Sequence, residues 1–397
     1  MTAQIKLKHS GGNGVIIEAP ASNPASDKTI TLPSTESGVF ATKDSDNSLQ
    51  NITGINGSQL GNRNKIINGS FAVNQRNANA SITMINSAYI CDRYRSNSNA
   101  GYNDGQVVTD SPDGITQSLK ITTNGTHSIG TNDYSNIQYV IEGHDIQDLN
   151  WGTSAGVSCT LSFFVKCSLT GTFGGAIRSS SSGGFYGYPF SYTISSANTW
   201  QKISITIPKP PNASTWQTDH NGGIYIYFDF GTGSTYTNAA GSWVNQNVVG
   251  ANGTTKLALT NGATQQFAMI QFEKGSVATD FEHRPFTHEL RLCRRYCQVY
   301  LNPKLRGVLA GSNQFQRMGM TLLETMRTDP AATWSGTQKV YDGGGTASIT
   351  DINVSYPDPN SYEFDATTSG TLSNGAGSAV IAYTGNSEGT LTLSADF

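Results

Sequence analysis

Short runs in which apolar and polar residues alternate are the feature that most constrains the fold of this chain. The clearest run is KISITI at residues 202–207, and similar runs recur between clusters of Gly, Ser, Asn and Thr. A period of two places successive side chains on opposite faces of a β-strand. Many short strands separated by polar turns predict an all-β fold built around a β-sandwich or jelly roll.

The charge content narrows the possible classes of protein. Only 13% of the 397 residues are Asp, Glu, Lys or Arg, the net charge is -3, and 10% are aromatic. Disordered chains usually combine high net charge with few aromatic residues, and helical bundles are rich in Ala, Leu and charged residues. Binding through nucleic-acid phosphates needs a basic excess. We therefore expect a folded, uncharged-polar β protein with no nucleic-acid partner.

The cysteines and the N-terminus indicate where the chain is made. There are five cysteines, an odd number without regular spacing, which does not predict a disulfide framework. We find no signal-peptide core near Met1 and no apolar run of the ~20 residues that a membrane span needs. We expect synthesis in a reducing cytoplasm and no membrane insertion. A composition typical of extracellular proteins with cysteine usage typical of the cytosol fits virion proteins.

The order of the patterns predicts five segments. Strand-like pieces at residues 5–9, 14–18 and 29–33 are too few to form a core alone, so we expect that segment to pair with copies of itself or with another protein. Residues 66–73 give strand, turn and strand signals, and the further strand candidates are residues 118–122, 137–141, 159–166, 202–207, 223–230, 266–272, 379–383 and 389–393. The predicted segments are residues 1–40 for attachment, a linker at 41–62, a jelly-roll β-sandwich at 63–286, a connecting helix at 287–301 and a small C-terminal β-sandwich at 302–397.

One segment breaks the β pattern and predicts the connecting helix. Leu290, Cys293 and Cys297 recur at the spacing of one helix face. Thr287 is the expected N-cap, and Pro303 would end the helix. We expect this apolar face to pack either at a threefold axis between chains or against its own jelly roll, with the cysteines as core residues.

The chain resembles phage tail proteins that contain a jelly roll like that of carbohydrate-binding modules. The residues that carry the resemblance are NKIINGSF at 64–71, QR at 75–76, CDRY at 91–94, LSFFVK at 161–166, NTWQK at 198–202 and the long run QFEKGSVATDFEHRPFTHELRLCRRY at 271–296. The resemblance covers about residues 63–301. Residues 5–10, 19–25 and 31–33 look like the virion-attachment segment of structural proteins from marine and cyanobacterial phages. Residues 326–330 are similar to the start of a small C-terminal β domain.

This resemblance implies a non-enzymatic tail fibre or receptor-binding protein that acts in host adsorption. It implies a homotrimer in the virion, attached through the N-terminal segment to the phage tail, baseplate or an adaptor protein. The expected host partner is a surface polysaccharide, a lipopolysaccharide or another outer-membrane receptor, with the C-terminal tip as the expected contact. Two alternatives remain open at this point, a polysaccharide depolymerase and a purely structural virion protein such as a fibre base or capsid decoration.

The sequence offers no local catalytic or metal-binding signature. Glycoside hydrolysis needs two carboxyl groups that face one cleft. The close acidic pairs are Asp145 with Asp148 and Asp280 with Glu282, and each lies in a turn-like polar stretch. No serine nucleophile motif, zinc-finger spacing or calcium-loop spacing is recognisable. We therefore predict no catalytic residues, no cofactor and no metal site.

Sugar binding is the sharper hypothesis for a ligand site. Sugars present C–H faces and hydroxyl groups, so their sites combine aromatic rings with polar side chains in a concavity. The strand at residues 223–230 places Tyr225, Tyr227 and Asp229 on the face opposite to its isoleucines. That stripe is either a sugar platform or a packing surface. The aromatic candidates in loops are Trp216, Tyr236 and Trp243.

Overall fold

The structure is a computed structural model. It describes the strands Gln4–Lys8, Gly14–Glu18, Thr42–Lys43 and Leu49–Gln50, and then residues 62–397 except 181–183, 213, 312–313, 355–357, 371, 375, 377 and 385–388. The chain divides into two compact units, Met1–Thr53 and Gly54–Phe397. In the described residues, no helix is long and apolar enough to cross a membrane.

The first unit contains two short antiparallel pairs. β1 (Gln4–Lys8) pairs with β2 (Gly14–Glu18), and β3 (Thr42–Lys43) pairs with β4 (Leu49–Gln50). Alternation predicted β1 and a short apolar run predicted β2, and both predictions are confirmed. The third predicted strand, at residues 29–33, lies outside the described residues.

Two six-stranded antiparallel sheets form the body of the second unit. The first sheet has the order β13 (Gly187–Ile194), β12 (Gly171–Arg178), β15 (Gly222–Asp229), β10 (Ser135–Glu142), β7 (Tyr94–Ser98) and β6 (Tyr89–Cys91). The second has the order β14 (Gln201–Ile207), β11 (Cys159–Cys167), β18 (Thr264–Lys274), β9 (Ser118–Thr123), β8 (Asn103–Val108) and β5 (Ile82–Thr83). The prediction of an all-β protein with a large β-sandwich is confirmed.

The core lies between the inner faces of these two sheets. On β15 the inward side chains are Ile224, Ile226 and Phe228, and all three are buried. Phe163 of the facing sheet meets Phe228 edge-on, with ring centroids 5.1 Å apart. Each such side chain contributes about 1.5–3 kcal/mol when fully buried. The opposite face of β15 is consequently free to carry the tyrosines that alternate with these residues.

At residues 66–73 the predicted turn is present at 67–70, but the two strands predicted on either side of it are not formed. Asn68 and Phe71 have positive φ angles of 61° and 58°, which lie outside the β region of the backbone. The Asn68 Nδ2 donates to the Val73 carbonyl oxygen at 2.8 Å, and its Oδ1 accepts from the Val73 backbone N–H at 3.0 Å. Asparagine side chains compete with a strand ladder for backbone partners in this way.

The connecting helix is shorter than predicted. α1 spans Phe286–Arg294 and begins after Pro285, so Thr287 is not its N-cap. Residues Cys297–Leu301 instead form the strand β19, which pairs antiparallel with β27 (Thr390–Ser394). Helical spacing alone could not reveal this partner, since the two strands are almost a hundred residues apart in sequence. Tertiary pairing overrides a local helical pattern here.

The apolar face of α1 packs within its own chain. Cys293 and Tyr296 are buried in one cluster with Ile67 and Val73, and Leu290 packs against that cluster. Of the two arrangements that the sequence left open for this face, the structure shows contact with the same chain's residues 67–73. Cys293 and Cys297 are both buried, as predicted for core residues.

The C-terminal region differs from the small sandwich that the sequence predicted. Six strands close into a barrel in the order β20 (Leu305–Gly311), β21 (Gln314–Thr321), β25 (Ser361–Thr368), β24 (Thr346–Val354), β23 (Gln338–Tyr341) and β26 (Ala379–Thr384). β19, β27 and β22 (Ala331–Trp334) form a separate three-stranded sheet. Closure leaves the barrel without open edges, which explains why many short alternating strands need no second sheet.

Minor elements complete the second unit. The short strands β16 (Thr237–Asn238) and β17 (Gly250–Ala251) pair in parallel. Three short 3-10 helices span Gly143–Leu149, Ser234–Tyr236 and Leu257–Leu259. The loop that contains β16 and β17 covers part of the first sheet's outer face and thereby shapes the concavity described next.

Candidate functional site

A concavity of about 350 Å³ lies on the outer face of the first sheet. Strand register builds its floor, because Arg95 of β7 is opposite Gln138 of β10, and Gln138 is opposite Tyr227 of β15. Arg178 of β12 is opposite Tyr225. The lining residues of this concavity, called the outer-face cavity below, are Asn86, Ser87, Arg95, Asn97, Tyr134, Gln138, Arg178, Tyr225, Tyr227, Tyr236, Asn247 and Val249.

The Tyr227 hydroxyl is the centre of the cavity floor. It accepts one hydrogen bond from Gln138 Nε2 and another from Arg178 Nη2, each at 2.7 Å. Burial raises the pKa of Tyr227, although the positive charge of Arg178 acts in the opposite direction. The phenol is therefore neutral near neutral pH, and these bonds fix the orientation of the Gln138 amide and the Arg178 guanidinium.

Three further tyrosines are half-buried around the cavity. Tyr134 and Tyr236 meet edge-on with ring centroids 5.5 Å apart, and Tyr225 lies beside Arg178 on the neighbouring strand. Half-buried rings offer apolar faces to a ligand, while the amides of Asn97 and Asn247 offer donors and acceptors. This combination suits a ligand that presents both C–H faces and hydroxyl groups.

Part of the same sheet face is a packing surface. Val248 and Val249, from the loop that carries β16 and β17, form a buried cluster with Tyr227 and Ala176. Asp229 is also covered by this loop, is 1% exposed, and forms an ion pair with Lys256. Both interpretations of the predicted stripe thus apply in different places, since Tyr225 and Tyr227 line the cavity and Asp229 does not.

The predicted tryptophans lie elsewhere in the sandwich. Trp216 and Trp243 form an aromatic cluster with Trp151, with centroid separations of 4.7 to 5.7 Å. Their indole N–H groups are satisfied within the chain, because Trp216 donates to Ser214 Oγ and Trp243 to the Pro208 carbonyl oxygen, both at 2.9 Å. Of the six residues predicted from sequence, Tyr225, Tyr227 and Tyr236 line the outer-face cavity and the other three do not.

Sequence reasoning missed the polar half of the cavity. Arg95, Gln138 and Arg178 lie on three strands that are well separated in sequence, and only their register brings them together. Alternation in β7 and β10 could have assigned Arg95 and Gln138 to outward positions. No signal in a single sequence indicates that β12 is next to β15, so the position of Arg178 beside Tyr225 was not predictable.

A second concavity of about 490 Å³ lies where α1 meets β10. Its buried carboxylate, Glu142, accepts hydrogen bonds from Arg295 Nε at 2.8 Å, Arg295 Nη2 at 2.5 Å and the Tyr296 hydroxyl at 2.7 Å. Burial opposes ionisation of Glu142, but these hydrogen bonds outweigh it and hold the pKa below its usual range. Glu142 is therefore an ionised counter-charge that joins two parts of the chain.

The acidic pairs weighed in the sequence do not face a common cleft as free carboxylates. Asp145 and Asp148 are exposed on a 3-10 helix, and Asp148 pairs with Lys65 at 2.7 Å. Glu282 accepts the Asn64 backbone N–H at 2.8 Å, whereas Asp280 is fully exposed. Within the described part of the chain, no three His, Cys, Asp or Glu side chains are grouped so that they could hold a metal ion.

The residues that carry the phage-protein resemblance have structural contacts. The Asn64 Nδ2 donates to the Ile270 carbonyl oxygen at 3.1 Å, and the Gln75 backbone N–H donates to Asp92 at 2.6 Å. Arg284 Nη1 donates to the Ile66 carbonyl oxygen at 3.1 Å. These motifs join residues 64–76 to β18 and to the segment before α1. They stabilise the scaffold and lie apart from the outer-face cavity.

Comparison with known proteins gives no family assignment. No protein-family model and no curated protein sequence matches the chain. A solved structure titled as the enzymatically active domain of tailspike protein 4 from bacteriophage CBA120 is similar at 14% identity with a TM-score of 0.30, over 53% of this chain and 21% of that one. This chain therefore spans about a fifth of the length of that tailspike structure.

Two carbohydrate-binding modules are similar at the same level. TmCBM61, solved with β-1,4-galactotriose, shares 10% identity with a TM-score of 0.28, over 53% of this chain and 99% of the module. The CBM22-1 xylan-binding domain of Paenibacillus barcinonensis Xyn10C shares 9% identity with a TM-score of 0.27, over 51% and 99%. These likenesses concern β architecture alone and say nothing about what this chain binds.

Proposed function

We propose that this chain is a phage adsorption protein that binds a glycan of the host surface without cleaving it. The observation that carries the proposal is the outer-face cavity, where tyrosine rings and amide side chains line one concavity. The resemblance of residues 64–94 and 271–296 to phage tail proteins supports the setting of a tail fibre. A sugar ring would contact the half-buried faces of Tyr225 and Tyr236, and its hydroxyls would contact Asn97 and Asn247.

The lining of the cavity supports binding rather than hydrolysis. Acid–base cleavage of a glycosidic bond uses two carboxyl groups, separated by about 5 to 9.5 Å depending on mechanism. None of the described residues that line the cavity is Asp or Glu. Asp229, which follows Tyr225 and Tyr227 on the same face of β15, is buried in its ion pair with Lys256. A ligand held in this cavity would therefore leave unchanged.

The proposal includes the assembly that the resemblance implies. The chain is made in the host cytoplasm, forms a homotrimer in the virion, and attaches through residues 1–40 to the tail, the baseplate or an adaptor protein. The mass of the full chain in solution tests the trimer, and a monomer of about 42 kDa would contradict it. Blocking of phage adsorption by the purified chain tests the role in host binding and separates it from a purely structural role.

A glycan panel tests the cavity directly. The full-length chain is applied to immobilised host-type oligosaccharides, and binding is compared with that of Tyr225→Ala. Loss of a central aromatic contact reduces the free energy of binding by about 2 kcal/mol, which corresponds to a roughly thirtyfold weaker affinity. Tyr341→Ala is the matched control, because Tyr341 is 45% exposed on the C-terminal barrel. Loss of binding in Tyr341→Ala but not in Tyr225→Ala would place the glycan contact on the C-terminal barrel and overturn the assignment to the cavity.

The enzymatic alternative is tested in the same samples. Reducing ends are measured after incubation of each bound polysaccharide with the wild-type chain. We expect no increase over a heat-inactivated sample. Release of reducing ends would identify a depolymerase and would contradict the non-enzymatic part of the proposal, while leaving the binding result to be judged separately.

A further inference from the structure

The outer-face cavity carries positive charge in a chain that has little charge of any kind. Arg95 and Arg178 line it, and its described lining contains no Asp or Glu. The chain as a whole has a net charge of -3 with only 13% charged residues. Two guanidinium groups in one concavity are therefore a local departure from the composition, and they require a physical reason.

Arg178 differs from the arginines that pair with a carboxylate of the same chain. Among the described residues these are Arg76, Arg284, Arg291 and Arg295. Arg178 instead donates to the Asn247 side-chain oxygen and to the Tyr227 hydroxyl, and both acceptors are neutral. Across residues 62–397, apart from the short gaps, no carboxylate lies within ion-pair distance of Arg178. Its charge is therefore not compensated by a carboxylate of those residues.

The guanidinium of Arg178 is nevertheless held in a fixed position. Its central carbon lies 4.7 Å from the Phe185 ring centroid and 5.1 Å from the Tyr227 ring centroid. Aromatic faces stabilise a guanidinium without neutralising it. Its Nε–H is buried and has no acceptor among the described residues. The group is thus oriented in advance, still charged, and short of one hydrogen-bond partner.

Arg95 belongs to the same hydrogen-bonded row. It donates to the Gln138 side-chain oxygen, and Gln138 in turn donates to the Tyr227 hydroxyl that also accepts from Arg178. Neutral residues of β10 and β15 thereby connect the two cations in a row that spans four strands. A planar guanidinium fork matches the geometry of carboxylate, sulfate and phosphate groups, and such charge-assisted bonds are stronger than neutral ones.

We infer that the ligand of the outer-face cavity is an acidic saccharide, one whose sugar carries a carboxylate, sulfate or phosphate group. Arg178 contacts the anionic group, and the half-buried tyrosines contact the sugar ring. This inference rests on the proposed function, because it names the class of glycan that the same cavity binds. The cavity is expected to prefer acidic over neutral sugars, because a neutral sugar supplies no anionic partner for the Arg178 guanidinium.

The test uses pairs of oligosaccharides that differ only in charge. Uronate-, sulfate- and phosphate-bearing oligosaccharides are each compared with their uncharged parent, and sodium acetate, sulfate and phosphate are included without sugar. Calorimetric titration of the full-length chain is expected to show at least one acidic member binding about tenfold or more tightly than its parent. Binding of the free anions at equal strength would mean an adventitious ion only and would overturn the inference.

Two variants with the same charge change locate the effect. Arg178→Gln is expected to weaken binding of the acidic oligosaccharide about tenfold or more and to leave binding of the neutral parent nearly unchanged. Lys120→Gln is the control, because Lys120 is on the outer face of β9 in the opposite sheet. Stacked sheets lie ~10 Å apart, beyond the screening length of about 8 Å at physiological salt. Equal losses in both variants would show non-specific attraction and contradict the inference.

The outcomes also separate this inference from the proposed function. If acidic and neutral members bind equally and Tyr225→Ala abolishes both, glycan binding stands and the acidic class is wrong. If no saccharide binds the wild-type chain, both fail. If Arg178→Gln does not fold, Arg95→Gln is the second variant. It is also expected to weaken binding of the acidic oligosaccharides and not that of their neutral parents.

Discussion

Replacement of Glu142 by Gln is expected to weaken the junction between β10 and the segment that follows α1. The carboxylate is 2% exposed and accepts three hydrogen bonds, two from Arg295 and one from Tyr296. In Glu142→Gln one oxygen becomes an NH2 group that faces these donors, and the charge is lost. Because the variant keeps the volume of the side chain, the change in stability reports electrostatics and hydrogen bonding.

The magnitude follows from the contacts. Hydrogen bonds to a charged group contribute about 1.5–3 kcal/mol each, but the Arg295 side chain is 35% exposed and water rehydrates it when its partner is lost. We therefore expect a loss of about 2 kcal/mol in the free energy of unfolding. Asp148→Asn is the matched control, since Asp148 is 48% exposed in its pair with Lys65 and exposed pairs contribute under about 1 kcal/mol.

The pH dependence has a definite sign. The folded state holds the pKa of Glu142 below its usual range, so the unfolded chain binds more protons between that pKa and the unfolded value of about 4.3. The stabilisation by Glu142 is complete above that range and is lost as pH falls through the folded pKa. Urea unfolding followed by tryptophan fluorescence measures the difference between wild type and variant. A difference below about 0.5 kcal/mol at pH 7, or one that does not shrink toward acid pH, would refute the reasoning.

Two further changes test the packing around the outer-face cavity. Lys256→Met leaves the buried carboxylate of Asp229 without its partner, so a loss of about 3–5 kcal/mol in the free energy of unfolding is expected; a loss under about 1 kcal/mol would show that the pair is not buried as described. In Gly175→Ala the new methyl group would lie 2.0 Å from the Tyr227 carbonyl oxygen and 2.5 Å from Phe190 Cζ, and overpacking is expected to cost about 1–3 kcal/mol. The melting temperature checks this, with Gly370→Ala as control because nothing lies within 4 Å of its added methyl group.

Local sequence patterns predicted the positions of strands more reliably than they predicted which segments pair with each other. The strands at 118–122, 159–166 and 202–207 were found within a residue or two of their predicted ends, because alternation over one strand is a local property. At residues 66–73 the predicted turn was found but the strands beside it were not, since the Asn68 side chain bonds the backbone of its own segment in place of a strand ladder. The helix prediction for residues 297–301 was wrong because of a distant partner. This segment has helical spacing, but it forms a strand that pairs with β27.

The sequence by itself determined the all-β class, the two faces of β15 and the tyrosines on its outer face. Each of these depends on neighbours a few residues away, for which periodicity is sufficient. Only the tertiary structure decided that Arg95, Gln138 and Arg178 join those tyrosines, that Asp229 is covered and paired, and that the C-terminal strands close into a barrel. These features depend on which strands pair and in what register, and a single sequence specifies them through the energy of the whole core rather than through any local pattern.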